Sequence, residues 1–270
     1  CSGGTVANLE ALWVARNVKY LPLALRWAAA ELGSDLPGGA PAIRLPDGSR
    51  APLDALDLWA LLNVTNDDAL DALDALLSPP GAAGDRAWAD RAWQAVRRHG
   101  LAGLGAQAFG LRLAREFGDA LPPGVVLVPS TAHYSWAKGC RVLGIGETQL
   151  VHVPVNGRFR MDPDALADVL RGLAARRQPV IAAVSVIGTT EESAVDRLDL
   201  LLDVRARAGA EHGLAFHLHA DAAWGGYAAS ITRGPDGRRR SYAETLADYA
   251  PGVDPAARGE AWPSEGIYQA

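Results

Sequence analysis

Residues 180–226 read VIAAVSVIGTTEESAVDRLDLLLDVRARAGAEHGLAFHLHADAAWGG, and this stretch decides the fold. Val180–Val186 is an unbroken apolar run, the signature of a strand covered on both faces. The Gly and polar cluster from Gly188 to Ser193 ends it. Leu198, Leu201 and Leu202 then fall at helical spacing, and Gly213 marks the stop of that helix. Leu214–Ala220 reads as the next strand. A strand, a helix and a second strand in this order make a parallel pair joined by a right-handed crossover.

The same rhythm extends upstream. Val125–Val128 is a short apolar strand, followed by a helical segment near Ser135–Leu143 and a strand candidate at Leu150–Val155. Asp162-Pro163 supplies an N-cap and a proline at the first helical position. Leu166, Val169, Leu170 and Leu173 follow as one apolar stripe suited to packing on a sheet. At the beginning of the chain, Thr5–Lys19 carries Leu9, Leu12 and Trp13 at i, i+3 and i+4, a helix. The fold class is α/β with a mainly parallel sheet. Residues 1–32 and 125–232 are assigned to this core, and residues 233–270 to a loop and helix tail.

Between them, residues 33–124 change character. Pro/Gly clusters punctuate helical stretches with repeated Asp-Ala-Leu units, and Leu70, Leu73, Leu76 and Leu77 fall at helical spacing. This segment is expected to be a mostly helical insertion, with Trp88 and Trp93 as core or packing residues.

Composition narrows the function classes. The 270 residues are 49% hydrophobic and 21% charged, an ordinary globular balance. A net charge of -5 argues against a nucleic-acid footprint, and the short run Arg238-Arg239-Arg240 reads as a solvated loop. Two cysteines, Cys1 and Cys140, make no disulfide framework, so a reducing compartment is the default. No apolar run is long enough to span a membrane and no secretory leader pattern opens the chain, so a cytoplasmic protein is expected. Met161 is the only methionine, and the chain opens at Cys1-Ser2-Gly3-Gly4; an internal piece of a longer protein is expected.

In open parallel sheets, ligands bind beyond the carboxyl ends of the strands. Four segments converge there. Ser2-Gly3-Gly4-Thr5 precedes a helix, where free N–H groups and the helix dipole favour an anion. Thr131–Lys138 offers His133 after a strand, and Gly188-Thr189-Thr190 offers hydroxyls after the next. His217, His219 and Asp221 share one face of the last strand. Three readings stand for this last set: a metal site, buried polar groups satisfied by each other and the backbone, or an acid that pairs with a cofactor ring nitrogen.

Taken together and in order, these segments resemble the group II pyridoxal-phosphate-dependent decarboxylases. The matching residues are Ser2-Gly3-Gly4-Thr5-x-Ala7-Asn8-Leu9, Ala132-His133-Tyr134-Ser135, Gly188-Thr189-Thr190 and His219-x-Asp221-Ala222-Ala223-Trp224-Gly225-Gly226. The resemblance implies the three-layer large domain of fold type I, truncated, with pyridoxal 5'-phosphate as cofactor. It implies that Asp221 pairs with the pyridinium, that His133 stacks on one ring face and Ala223 packs on the other, and that His219 belongs to the same block. Gly3, Gly4 and Thr5 would hold the phosphate, and Thr189 would sit at the ring's polar edge. The implied reaction is α-decarboxylation of an L-amino acid to an amine and carbon dioxide, in a homodimer. Rival readings are another fold type I enzyme (an aminotransferase or lyase), a metal-dependent hydrolase using His217, His219 and Asp221, and a non-catalytic relative.

The sequence departs from the family pattern in places. Val6 replaces an acidic residue, and Ser193 stands where glycine is usual. Segment 33–124 is longer than the usual connection, which suggests a diverged subgroup. The family's imine-forming lysine follows the aspartate, whereas Lys19 and Lys138 are the two lysines of this chain. The chain by itself is therefore expected to be inactive.

Overall fold

The computed structural model describes residues 2–45, 48–118, 122–249 and 252. Helices α1 (Gly4–Lys19) and α2 (Leu21–Leu32) open the chain, followed by a small antiparallel hairpin of β1 (Ala42–Arg44) and β2 (Arg50–Pro52). Five helices come next: α3 (Leu58–Leu61), α4 (Asn66–Leu77), α5 (Arg86–His99), α6 (Leu101–Leu104) and α7 (Ala106–Phe117). The alternating part is β3 (Val125–Pro129), α8 (Ser135–Val142), β4 (Leu150–Val153), α9 (Pro163–Ala175), β5 (Val180–Val186), α10 (Leu198–His212) and β6 (His217–Asp221). A 3-10 segment, Gly225–Thr232, and helix α11 (Tyr242–Tyr249) follow. Of the tail expected at 233–270, residues 250–251 and 253–270 lie outside the described residues, as does Cys1.

Strands β4, β3, β5 and β6 form one sheet in that spatial order, with every neighbouring pair parallel. The central strands β3 and β5 are buried along their whole length, and the edge strands β4 and β6 are partly exposed. This is why the central strands read as unbroken apolar runs: each residue faces one helical layer or the other. Val125, Leu127, Val180 and Ala183 pack with Leu166, Leu170 and Leu173 of α9 and Leu201 and Val204 of α10. Val126, Val128, Ile181 and Val184 pack on the opposite face with Leu12 and Ala15 of α1 and Trp136 and Cys140 of α8. The architecture is a three-layer α/β sandwich. Each fully buried aliphatic side chain contributes about 1.5–3 kcal/mol to holding it.

The helical segment has its own core. Leu23, Leu25, Trp27 and Ala28 of α2 bury against Ala69, Ala72 and Leu76 of α4, Trp88 and Ala92 of α5, and Phe109 of α7. Helix α2 thus packs with the helical layer, while α1 packs on the sheet. Thr65 and Asp85 cap α4 and α5 through their side chains. The buried face of α4 is Ala69, Ala72 and Leu76, with Leu73 and Leu77 packed beside them, and Leu70 is exposed. Trp88 is buried, and its indole N–H donates to the Leu76 carbonyl; Trp93 is exposed.

The last strand also differs from its sequence reading. Gly213 closes α10 in the left-handed conformation, and the Leu214 N–H donates to the Ala208 carbonyl. Leu214 and Phe216 plug the α9–α10 layer as loop residues, and β6 starts only at His217. Asp221 is consequently a member of the ladder, in register with Val186, rather than the first residue beyond it.

Candidate functional site

The carboxyl ends of β3, β5 and β6 open toward the N-terminus of α1, and a cavity of about 280 Å³ lies between them. Its wall includes Gly4 and Thr5, Thr131 and His133, Gly188 and Thr189, and Asp221 and Ala223. All four segments singled out in the sequence therefore meet at one pocket. Its size lies at the small end of ligand clefts, which run from about 300 Å³ upward. Gly3 and His219 are the two anticipated site residues outside this wall.

Gly3 sits at the N-cap of α1 with φ 142, a conformation that favours glycine. Its carbonyl accepts from the Val6 and Ala7 N–H groups, and no side chain caps the helix. The Gly4 and Thr5 N–H groups belong to the first turn, which has no carbonyl of its own helix to reach. The positive end of a 16-residue helix thus faces the pocket. Gly4 is required sterically: a Cβ there would lie 2.7 Å from the Ala223 Cβ.

Asp221 is 5% exposed and held by three donors. Asn8 Nδ2 donates to its Oδ2 at 2.8 Å, Trp136 Nε1 to the same oxygen at 3.1 Å, and the Ala223 N–H to Oδ1 at 3.3 Å. His219, two residues earlier on the same face, lies edge-on to the Trp136 ring at 5.3 Å. It stands behind the carboxylate rather than in the cavity. Burial lowers the His219 pKa, the Asp221 charge opposes that, and His217 adds to it. His217 is lowered too, by burial first and then by Arg205.

His133 turns Nδ1 toward Ser135, whose backbone N–H donates to it at 3.2 Å and whose Oγ lies at 3.0 Å. Thr189 is buried and braces the turn after β5, its Oγ1 accepting from the Ala194 N–H at 2.9 Å. Ser193, in the same turn, adopts φ 54, the left-handed region that explains why glycine suits this position. Thr131 Oγ1 is buried on the pocket wall without a hydrogen-bond partner among the described residues. An orphaned hydroxyl, a carboxylate and a helix N-terminus on one small cavity suit a ligand that is polar at several points.

Asn8, Ser135 and Trp136 carry the site's hydrogen bonding, although residue-type reasoning gave them no role. Asn8 was discernible on one ground, since it follows Gly4 by four residues and shares its helix face. Ser135 and Trp136 gave no comparable local signal.

Neither lysine is on the pocket wall. Lys19 is buried, and its Nζ donates to the Ala215 carbonyl at 2.6 Å; Lys138 is exposed, with its ammonium over the Tyr134 ring. The metal reading finds little support in the geometry. His217 Nδ1 lies 3.4 Å from Asn66 Nδ2, and among the described residues no group of three or more His, Cys, Asp or Glu is arranged to hold a metal ion.

Comparison with known proteins adds the following. The family model described as the pyridoxal-dependent decarboxylase conserved domain matches residues 101–238. An L-tyrosine decarboxylase of Levilactobacillus brevis is 34% identical over 228 residues, 84% of this chain and 29% of that protein. An L-tyrosine decarboxylase of Enterococcus faecium is 32% identical over 246 residues, 91% of this chain and 33% of that protein. A probable L-aspartate decarboxylase of Halobacterium salinarum is 38% identical over 122 residues, 45% of this chain and 30% of that protein. A crystal structure of mouse CSAD in apo form shares 34% identity, 45% of this chain and 24% of that one, with a TM-score of 0.35. The chain spans about a third of the length of the curated relatives it matches.

Proposed function

The chain belongs to the pyridoxal-dependent decarboxylase family, and from that premise we propose that it forms the cofactor-holding wall of an L-amino-acid α-decarboxylase. The observation that carries the reading is the single cavity lined by Gly4, Thr5, His133, Thr189, Asp221 and Ala223. Pyridoxal 5'-phosphate, when bound, supplies a protonated aromatic ring that accepts electron density from the substrate's α-carbon.

The residues present fit that group. Asp221 is the acid for the ring nitrogen: a buried carboxylate stabilises a neighbouring cationic N–H far more than an exposed one does. Asn8 and Trp136 fix its orientation from behind. The first-turn N–H groups of Gly4 and Thr5 receive the phosphate, and Gly3 gives the backbone its approach. His133 and Ala223 would line the ring on its two sides and Thr189 would lie at its polar edge, while His219 supports Trp136 and through it Asp221.

For the substrate we favour L-tyrosine. A 228-residue match within 270 residues necessarily covers residues 43–228, so the tyrosine decarboxylase of L. brevis shares most of the helical segment. The 122-residue match to the aspartate relative is too short to contain both that segment and the sheet. The same family reading makes the working unit a cytoplasmic homodimer, for which the exposed Trp224 and Tyr227 beside the pocket are a suitable contact surface.

The test is direct. Pyridoxal 5'-phosphate added to the purified chain should give induced circular dichroism in the cofactor's absorption band, and Asp221→Asn should weaken binding at least tenfold. Absence of an induced signal, or equal affinity in the variant, would overturn the site. Release of carbon dioxide from carboxyl-labelled L-tyrosine by the protein expressed from its native gene tests the substrate. Preferential release from L-aspartate would overturn that part alone.

A further inference from the structure

We propose that Asn8 is a positioning residue that sets the tautomer of His133, so that the imidazole carries its proton on Nε2 and keeps Nδ1 bare. Three contacts make the argument, and together they admit one consistent set of directions.

The first lies at His133 itself. The Ser135 backbone N–H points at Nδ1 from 3.2 Å. A backbone N–H can only donate, so a proton on Nδ1 would meet it head-on. The second is the Ser135 hydroxyl, which accepts from Asn8 Nδ2 at 3.1 Å and lies 3.0 Å from Nδ1. Because Nδ1 already receives the backbone N–H and is therefore an acceptor, the hydroxyl that accepts from Asn8 gives its own proton to Nδ1.

The third contact fixes Asn8. Its amide nitrogen lies 2.8 Å from Asp221 Oδ2, and a flipped amide would set oxygen against carboxylate oxygen. The carboxylate thereby decides which end of Asn8 faces it and Ser135. Hydrogen-bond direction runs from Asn8 to Asp221 on one side, and from Asn8 through the Ser135 hydroxyl to His133 on the other. Asn8, Ser135 and Asp221 are 4%, 2% and 5% exposed, so bulk water is poorly placed to reorient the chain. The acid and the imidazole of the pocket are thus one unit, and an acceptor on the ligand is what His133 Nε2 can serve.

The bearing of this unit on the cofactor rests on the pocket reading above, but the tautomer is measured without cofactor. Side-chain nitrogen-15 shifts of uniformly labelled chain at about pH 8, where an unperturbed imidazole is neutral, separate the two tautomers. His133→Gln identifies the signal among the six histidines. The expected result is a dominant Nε2–H form. Asn8→Ala removes the donor without setting a second carboxylate against Asp221, leaves the Ser135 hydroxyl free to turn and accept, and should raise the Nδ1–H population several-fold. Ser135→Ala removes the hydroxyl donor itself and should shift the population the same way, and Ser135→Thr should keep the original form. A dominant Nδ1–H form in the unaltered chain, or no change in both Asn8→Ala and Ser135→Ala, would overturn the proposal. A chain that shows Nε2–H but does not bind pyridoxal phosphate supports this inference and defeats the cofactor reading instead.

Discussion

Replacing Lys19 by Met should stabilise the protein at neutral pH, and the gain should shrink as pH rises. Lys19 is 6% exposed near the end of α1, and its Nζ donates to the Ala215 carbonyl at 2.6 Å. Among the described residues no carboxylate pairs with it, and burial lowers its pKa from 10.5 to about 7. At about 1.4 kcal/mol per tenfold change, keeping this amine charged in the fold costs roughly 5 kcal/mol. Methionine removes that cost and loses a hydrogen bond worth about 1 kcal/mol, leaving a net gain of about 3 kcal/mol after relaxation. The unfolded lysine keeps its proton up to its ordinary range, while the folded one releases it near neutrality. The unfolded state therefore binds more protons between these limits, and stability rises with pH across that window. From pH 6 to 8.5 the rise is about 2 kcal/mol, or about 1 M in a urea midpoint at a slope of 2 kcal/mol per M. Urea unfolding at several pH values, followed by the fluorescence of the eight tryptophans, reads this directly. The histidines titrate in both proteins and cancel in the comparison. If the Met variant is the less stable at pH 6, or its advantage does not shrink by pH 8.5, the account of Lys19 is wrong.

Three further outcomes follow from the geometry. Gly4→Ala places a methyl 2.7 Å from the Ala223 Cβ, so it should close the anion end of the pocket and raise the dissociation constant for pyridoxal phosphate tenfold or more by fluorescence titration. Ser193→Gly relieves a left-handed residue at φ 54 and should raise unfolding stability by about 1 kcal/mol in urea denaturation; a loss would contradict the strain argument. Borohydride reduction of the chain with pyridoxal phosphate should leave no stoichiometric adduct in peptide mass spectra, because Lys19 is buried and Lys138 lies off the pocket wall. A stoichiometric adduct at Lys138 would refute that placement.

The central strands were legible in the sequence because their burial is uniform, and the partly exposed β4 was read as well, two residues too long at its end. Val180–Val186 has both faces covered, so its pattern needs no knowledge of its partners. The last strand was displaced toward its N-terminus because Leu214 and Phe216 are apolar for a different reason, plugging a helical layer from a loop. On α4 the leucine spacing located the helix, and Leu73, Leu76 and Leu77 do pack on the core with Ala69 and Ala72, whereas Leu70 lies outside that face. Site residues with a local motif (Gly4, His133, Thr189 and Asp221) could be read from their place after a strand or before a helix. The residues that organise them could not, because Asn8 meets Ser135 and Asp221 across 127 and 213 positions of chain. Such contacts exist only once the sheet is assembled.

Two buried carboxylates, Asp221 at the end of β6 and Asp196 just before α10, are held in different ways. Asp196 spends both oxygens on backbone N–H groups, Oδ1 on Met161 at 2.7 Å and Oδ2 on Val186 at 2.6 Å, and it feels the charge of Arg160. It ties β5 to the turn before α9, and burial still raises its pKa to about 6. Asp221 is held by neutral donors, two of them on Oδ2, while Oδ1 has only the 3.3 Å contact with Ala223. No salt bridge to Asp221 occurs among the described residues, and its place on the pocket wall leaves Oδ1 able to accept again. A buried carboxylate costs several kcal/mol unless hydrogen bonds or a positive charge offset it. On the function proposed above, the free acceptor capacity of Asp221 Oδ1 would be taken by the cationic N–H of a protonated pyridine ring.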